Sequence, residues 1–247
     1  TSVITPSNRA ELGMLLVIQQ YINDIHTGHE VIITPKLLTA LYNPPFNVTD
    51  ADVLSVQSTK TPRPYQVSAV VQSLISQRGV LQIGTGGGKT LTMYLLQQTF
   101  NKFVPTSTTL ILLPAHLVQQ TYTDFLEYGA KETDCVVWKG DDLGEVKPII
   151  FASYNLLTTK ITSFKHLSFK SKTKEIDCAL VQKHQLKEAE RKKLWTKEKT
   201  KLIDTMNSVD LLLLDEVHSL RRDNQLSTVI QKIKTKYRFG FTGTLPD

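Results

Sequence analysis

The sequence predicts an α/β domain, a mostly parallel sheet flanked by helices, with a small N-terminal mainly helical region and a basic helical insertion. Three observations carry this. From Pro62 onward, short β-rich runs alternate with amphipathic helical stretches, the rhythm of a doubly wound sheet. The runs "TTLILLP" and "VDLLLLDE" are apolar without alternation, which suits strands buried on both faces. The chain's basic excess is confined to one segment rich in helix formers.

Composition bounds the remaining choices. The 247 residues, 40% of them apolar, hold one large domain or one domain with a small companion. No apolar run reaches the length of a membrane span, and no leader with a charged, an apolar and a small-residue region opens the chain, so it reads as soluble with no membrane partner. The two cysteines, Cys135 and Cys178, have no CxxC spacing. They argue against zinc and fit a reducing, intracellular compartment: a cytoplasm, a virus- or phage-infected cell, or a nucleus. Thr1 in place of Met leads us to expect a trimmed or processed chain. The formal net charge is +6, and residues 160–201 hold 13 Lys/Arg against 5 Asp/Glu. Taking these from the totals of 29 and 23 leaves 16 basic and 18 acidic residues elsewhere. A positive segment of this kind reads either as a polyanion contact or as a solvated charged helix.

The elements follow in order. Residues 1–60 read as an accessory region. In "ELGMLLVIQQYINDI", Met14, Ile18, Tyr21 and Ile25 share one helical face. "ITPKLLTALY" offers Thr34 as N-cap and Pro35 at the first helical position. "YNPPFN" is a break, and "SVQSTKTPRP" reads as a linker. The domain proper spans 61–247. "PYQVSAVVQSLISQ" places Val67, Val70, Val71, Leu74 and Ile75 on one buried helical stripe. "GVLQI" is expected as a short buried strand, "GKTLTMYLLQQTFNKF" as a helix, "TTLILLP" as a strand and "AHLVQQTYTDFLEYG" as a helix ending at Gly129. "CVVW" and "PIIFAS" are expected strands. Beyond the basic segment come the strand "VDLLLLDE", the helix "NQLSTVIQKIK" and the strand "YRFGFTG".

Two stretches carry chemistry. "LQIGTGGGKTLTMY" follows a strand and opens a helix. A phosphate chain needs closely approaching backbone N–H groups, which glycines permit, and gains from the positive end of the helix dipole. Gly86, Gly87 and Gly88 supply the amides, Lys89 reaches the β- and γ-phosphates, and the Thr90 hydroxyl ligates Mg²⁺. The strict phosphate-loop pattern wants a glycine where this chain has Ile83. "LLLLDEVHSL" sets Asp215 and Glu216 at the end of a buried strand, where ligands of doubly wound sheets bind. Asp215 suits the metal, partly through water, and Glu216 suits activation of the water that attacks the γ-phosphate. His218 reads either as a lone surface histidine or as a group facing the γ-phosphate side that passes its state to neighbouring loops.

Phosphate loop and "DEVH" together resemble the DExH group of superfamily 2 helicases and translocases. Further matches fall in that family's order over residues 62–247, the extent of a first RecA-like domain. "RPYQ" at 63–66 resembles the family's adenine-reading element. The resemblance implies that Arg63 and Gln66 bind ATP together with Thr85, Gly86, Gly87, Gly88, Lys89 and Thr90. Gln66 would bond the adenine edge, with Tyr65 near the base. "LLPAHLVQQ" resembles motif Ia and "IIFASYNLL" a later strand-end motif. They imply nucleic-acid backbone contacts at Pro114, His116, Ser153 and Tyr154. "FTGT" at 241–244 resembles motif III and implies a coupling role for Thr242 and Thr244, with His218. The combination is most similar to phage UvsW-like and XPB-like DNA helicases, with type III restriction subunits and RecG-like proteins as relatives.

Two departures stand out: Thr-Gly-Thr where many relatives have Ser/Thr-Ala-Thr, and a long basic stretch, about 160–206, between "SYNLL" and "VDLLLLDEVH". In that stretch Trp195, Leu202 and Met206 share a helical face, so a helix or helical hairpin is expected. Lys183, Lys187, Arg191, Lys192 and Lys193 are its candidate phosphate contacts. Trp195 either packs the insertion on the core or stacks on a base, packing being the better fit to its apolar neighbours.

The resemblance implies a motor that uses ATP and Mg²⁺ to unwind or remodel DNA, branched DNA included, in replication, recombination or repair. An RNA helicase is the near alternative, and a nucleotide-dependent scaffold or switch the distant one. In the family an arginine finger comes from a second RecA-like domain, which this sequence is expected to lack. Residues 1–247 alone are expected to hydrolyse ATP weakly.

Overall fold

The computed structural model describes residues 46–139, 145–162, 178–219 and 225–244. The helical stretches expected at 11–25 and 33–42, the first part of the basic insertion at 163–177, and Pro246 lie outside the described residues. The chain divides into two compact units, Thr1–Asn47 and Val48–Asp247, and the description below concerns the second.

A short helix opens this unit, α1 (Asp50–Leu54), started by a capping box in which the Thr49 backbone N–H donates to Asp52 Oδ2 at 2.8 Å. The polar stretch after it has no regular structure but is tied down. Thr59 bonds the carbonyls of Tyr128 at 3.2 Å and Glu127 at 2.8 Å, and the Tyr94 hydroxyl donates to the Gln57 carbonyl at 2.7 Å. Helix α2 (Pro64–Ser76) has proline in its first turn and ends at Gln77, whose φ of 66° is left-handed. Its stripe is buried at Val67, Val70, Val71 and Leu74, while Ile75 turns outward.

The sheet follows: β1 (Arg78–Gln82), β2 (Thr109–Leu113), β3 (Cys135–Val137), β4 (Ile149–Ser153), β5 (Leu211–Leu214) and β6 (Tyr237–Thr242), in the spatial order β1-β6-β5-β2-β4-β3. Every described pairing is parallel. The doubly wound expectation therefore holds. β2 and β5 are buried at every residue, as their unbroken apolar runs require. β1 departs from the expected buried strand. Among the described strands it lies on the sheet edge, paired with β6, and Val80 is 58% exposed. Edge position is a long-range property that a short apolar run does not encode.

The crossover helices are α3 (Lys89–Phe103), α4 (Val118–Tyr128), α5 (Tyr154–Thr162), α6 (Cys178–Asn207) and α7 (Gln225–Lys232). "CVVW" ends as a strand at Val137, and Trp138 instead buries its ring and donates Nε1–H to the Glu145 carbonyl at 2.9 Å. The expected basic helix is one continuous element of 30 residues, about 45 Å at 1.5 Å per residue. Its C-terminal half docks by the predicted face. Leu202 and Met206 are buried in the core with Tyr154, Leu157 and Ile161, and Trp195 donates Nε1–H to the Lys160 carbonyl at 3.2 Å. Lys199 stands 4.7 Å over the Trp195 ring. Packing, not base stacking, is what Trp195 does here.

Candidate nucleotide and nucleic-acid site

All strands run the same way, so the loops after β1, β6, β5, β2 and β4 gather at one edge of the sheet. The loop after β1 contains the glycines. Gly86 and Gly88 adopt φ of 75° and 78°, left-handed values that side chains resist. A Cβ on Gly87 would come within 2.7 Å of Ile83 Cγ2 and 2.9 Å of the Gly84 carbonyl, and one on Gly88 within 2.6 Å of Gln66 Nε2. Ile83, the residue that departs from the strict pattern, is 6% exposed and donates its N–H to the Thr242 carbonyl at 2.9 Å. It extends the β1–β6 pairing and forms the floor on which Gly87 rests.

Lys89, the first residue of α3, joins this loop to the end of β5. Its Nζ is 2.5 Å from Glu216 Oε1 and 3.7 Å from Asp215 Oδ1. Asp215 is 6% exposed, and burial holds its carboxyl above the usual range, against the opposing pull of Lys89. Asp215 Oδ1 also accepts the Glu216 backbone N–H at 2.9 Å. Glu216 takes a φ of 52°, a left-handed conformation that costs a non-glycine residue about 1–2 kcal/mol. From there the contacts continue to the end of β6. His218 Nδ1 lies 3.1 Å from Glu216 Oε2 and 3.0 Å from Thr242 Oγ1, and the Thr242 hydroxyl donates to the Thr244 carbonyl at 2.5 Å. His218 is thus joined to both neighbours, unlike a lone surface histidine. A Cβ on Gly243 would meet nothing nearer than Thr85 Oγ1 at 3.8 Å, so Thr-Gly-Thr and Thr-Ala-Thr are sterically equivalent here.

Arg63, Tyr65 and Gln66, the expected adenine element, sit against the glycine loop. Gln66 is 2% exposed. Its Oε1 accepts the Arg63 backbone N–H at 2.8 Å, capping α2, and its Nε2 lies 3.2 Å from the carbonyls of Gly87 and Gly88. The exposed Tyr65 bonds its hydroxyl to the Gly87 carbonyl and receives Arg63 Nη1 at 3.3 Å. Sequence reasoning placed Tyr65 near the base and missed its hold on the loop. Thr85 is exposed, and Thr90 is half-buried at the second position of α3.

Among the described residues no three His, Cys, Asp or Glu side chains cluster to hold a metal by themselves. Mg²⁺ suits such a site, since it keeps several waters and takes one or two protein ligands beside phosphate. The Asp215 carboxylate and Thr90 hydroxyl are hard oxygen donors of the required kind.

The candidate nucleic-acid residues separate into groups. His116 is exposed in the turn after β2, where the half-buried Pro114 accepts the Leu117 N–H at 3.0 Å. Ser153 Oγ accepts the Leu156 N–H at 3.2 Å, capping α5. Tyr154 is 8% exposed within the core, which removes it from the surface contact expected of it. Lys192 and Lys193 are exposed on α6. Lys183, Lys187 and Arg191 lie on the same helix, with side chains outside the described ones. Among the described residues, no helix is long and apolar enough to cross a membrane.

Comparison with known proteins bears on the fold and the family. No curated protein matches the chain. The UvsW helicase of bacteriophage T4 is structurally similar, with a TM-score of 0.68 at 16% identity over 100% of this chain and 76% of that one. A second T4 UvsW structure gives 0.65 at 17%, over 99% and 43%. The SWI2/SNF2 ATPase core of Sulfolobus solfataricus, solved with double-stranded DNA, gives 0.50 at 14%, over 76% of this chain and 33% of that one. At such identities the likeness is one of fold. Residues 59–247 match the family described as type III restriction enzyme, res subunit. The chain therefore belongs to that family, and its described part is a helicase-family ATPase domain of RecA-like fold.

Proposed function

We propose that the chain is a motor domain that couples ATP hydrolysis to unwinding or remodelling of DNA, branched DNA included, in replication, recombination or repair. The observation that carries this is the continuous set of contacts from Lys89 through Glu216 and His218 to Thr242. It links a phosphate loop to the strand end that would report on the nucleotide.

The triphosphate would take the loop amides of 86–88 and the Lys89 ammonium. Lys89 would then exchange its bond to Glu216 for one to phosphate. Bound Mg²⁺, held through Asp215 and Thr90, would supply charge neutralisation at the phosphates. Glu216, released from Lys89, becomes free to take a proton from the attacking water, while His218 fixes its second oxygen. The change at Glu216 would pass through His218 to Thr242 and Thr244. Gln66 and Arg63 would read adenine while holding the loop. An arginine from a second RecA-like domain would complete the site, so turnover by residues 1–247 alone is expected to be weak.

The nucleic acid would lie across the turn at Pro114 and His116 and along Lys192 and Lys193. DNA is proposed over RNA on the motif resemblance. Glu216→Gln, in the protein carrying both RecA-like domains, should keep ATP binding and lower turnover by about 10²–10⁴-fold. Normal turnover in that variant would overturn the assignment. Competition between DNA and RNA of equal length for stimulation of the ATPase decides the substrate.

A further inference from the structure

The described strands contain two glycines, Gly79 in β1 and Gly240 in β6. A Cβ on Gly79 would meet nothing within 4 Å. One on Gly240 would stand 2.8 Å from Val217 Cγ1, 3.0 Å from Val217 Cγ2 and 3.3 Å from Val217 Cβ. Carbon atoms in contact normally keep about 3.5–4.0 Å. Gly240 has no left-handed φ, so the position asks for room and not for an unusual backbone. A glycine weakens a strand, and inside one it often marks such a close approach.

Val217 belongs to the stretch that carries the acids. It follows Glu216 and opens a single helical turn, Val217–Ser219, that lies against β6. The register shows how it arrives there. Leu214 pairs with Gly240 and belongs to the apolar cluster against which Val217 packs. The Asp215 N–H still bonds the Leu112 carbonyl at 2.9 Å, so Asp215 continues the strand and its side chain takes the opposite face from Leu214. The chain then turns at Glu216, with its φ of 52°, and Val217 returns to the sheet on Gly240. Two residues further along β6, on the face of Gly240, Thr242 Oγ1 lies 3.0 Å from His218 Nδ1. Val217 therefore meets β6 at Gly240 while its neighbour His218 meets it at Thr242 and reaches Glu216 Oε2 at 3.1 Å.

A side chain at position 240 would lift Val217 from the sheet by about 1 Å, and Glu216 and His218 are bonded to it on either side. We propose that Gly240 is a positioning residue for Glu216: its bare Cα seats Val217, and that seat sets Glu216 and His218 against Thr242. The glycine loop and Lys89 enter the site from β1 and α3, so nucleotide affinity is independent of the seat. This rests on the reading of Glu216 as the acid that activates water.

Gly240→Ala fills the seat, and Val217→Ala empties it by removing both Cγ atoms. Steady-state ATP hydrolysis by the protein carrying both RecA-like domains, with forked DNA present, compares the two single variants and the double variant, each with its thermal melt. In Gly240→Ala, kcat should fall about 10- to 100-fold, as for a reacting group displaced by about 1 Å, with KM for ATP within about twofold of wild type. Adding Val217→Ala should bring kcat back to within about threefold of Val217→Ala alone, a coupling that two independent sites do not show. A folded Gly240→Ala that melts lower but keeps its kcat would overturn the proposal and make Gly240 a packing residue only. A raised KM with unchanged kcat would overturn it in favour of nucleotide binding. Where Gly240→Ala does not fold, the double variant decides. Folded and as fast as Val217→Ala, it supports the seat; slow or unfolded, it overturns it, because room for Val217 is then not what Gly240 supplies. Glu216→Gln separates the two readings: normal turnover in that variant means that the site assignment fails, and not the role of Gly240 alone.

Discussion

At the carboxyl edge of the sheet, Lys89, Asp215, Glu216 and His218 are held within 4 Å contacts of one another, and Asp215 is 6% exposed. Along α6 the described charges Lys192 and Lys193 face water, while Trp195, Leu202 and Met206 fasten the helix to the core. In the first region each charge depends on its neighbours, so removing one disturbs the rest. In the second, each lysine acts nearly by itself and is screened by salt. Concentrated charge therefore has opposite consequences in the two places. At the strand ends it ties neighbouring charges to one another, and on the helix each charge stands in solvent at little cost in stability.

Substitutions can break this contrast. The largest effect on nucleotide affinity should come from Lys89→Ala. It removes the cation between two acids and the contact to phosphate, so ATP binding measured with a fluorescent analogue should fall about 30- to 100-fold, the worth of one charged hydrogen bond. Without nucleotide the variant should also melt lower, because Asp215 and Glu216 would face each other uncompensated.

Asp215→Asn should act in the other direction on stability. Burial holds the Asp215 carboxyl above 3.8 in the folded chain, so the folded state binds that proton more tightly than the unfolded state does. The stability Asp215 contributes is fully present below the unfolded value and is lost as pH rises through the raised one. The nucleotide-free variant should therefore melt higher than wild type at pH 7.5. The gap should close as pH falls toward 4. A gain independent of pH would separate it from this carboxyl.

The basic helix should respond differently. Reversing Lys192 and Lys193 to Glu should leave nucleotide affinity unchanged and stability within about 0.5 kcal/mol. The dependence of log affinity for duplex DNA on log salt should lose about 0.9 in slope per phosphate contact removed. An unchanged slope would make α6 a solvated face. The smallest effect is expected at Leu194, 60% exposed: Leu194→Ser should alter neither melting nor DNA affinity measurably.

What the sequence revealed was local. The glycine loop with Lys89, and the acids after an apolar strand, are legible because their chemistry is carried by adjacent residues. The apolar runs of β2 and β5 announced parallel strands for the same reason. Less legible were facts set by distant partners. β1 lies on an edge because of strand order. Gln66 both caps α2 and bonds the glycine loop because α2 packs beside that loop. Tyr154 points inward where a surface contact was expected, since a strand-end residue faces core or solvent according to how the next helix departs. One missed feature did carry a signal. Thr49 with Asp52 three residues on is a capping-box pattern, lying between the stretches read as a break and a linker.

The most direct test of the motor assignment is steady-state ATP hydrolysis by the protein carrying both RecA-like domains, measured with and without forked DNA. The proposed coupling from Lys89 through Glu216 and His218 to Thr242 predicts at least a tenfold rise in turnover with DNA, absent in Glu216→Gln. ATP turnover that neither DNA nor RNA changes would contradict it and leave a nucleotide-dependent switch in its place.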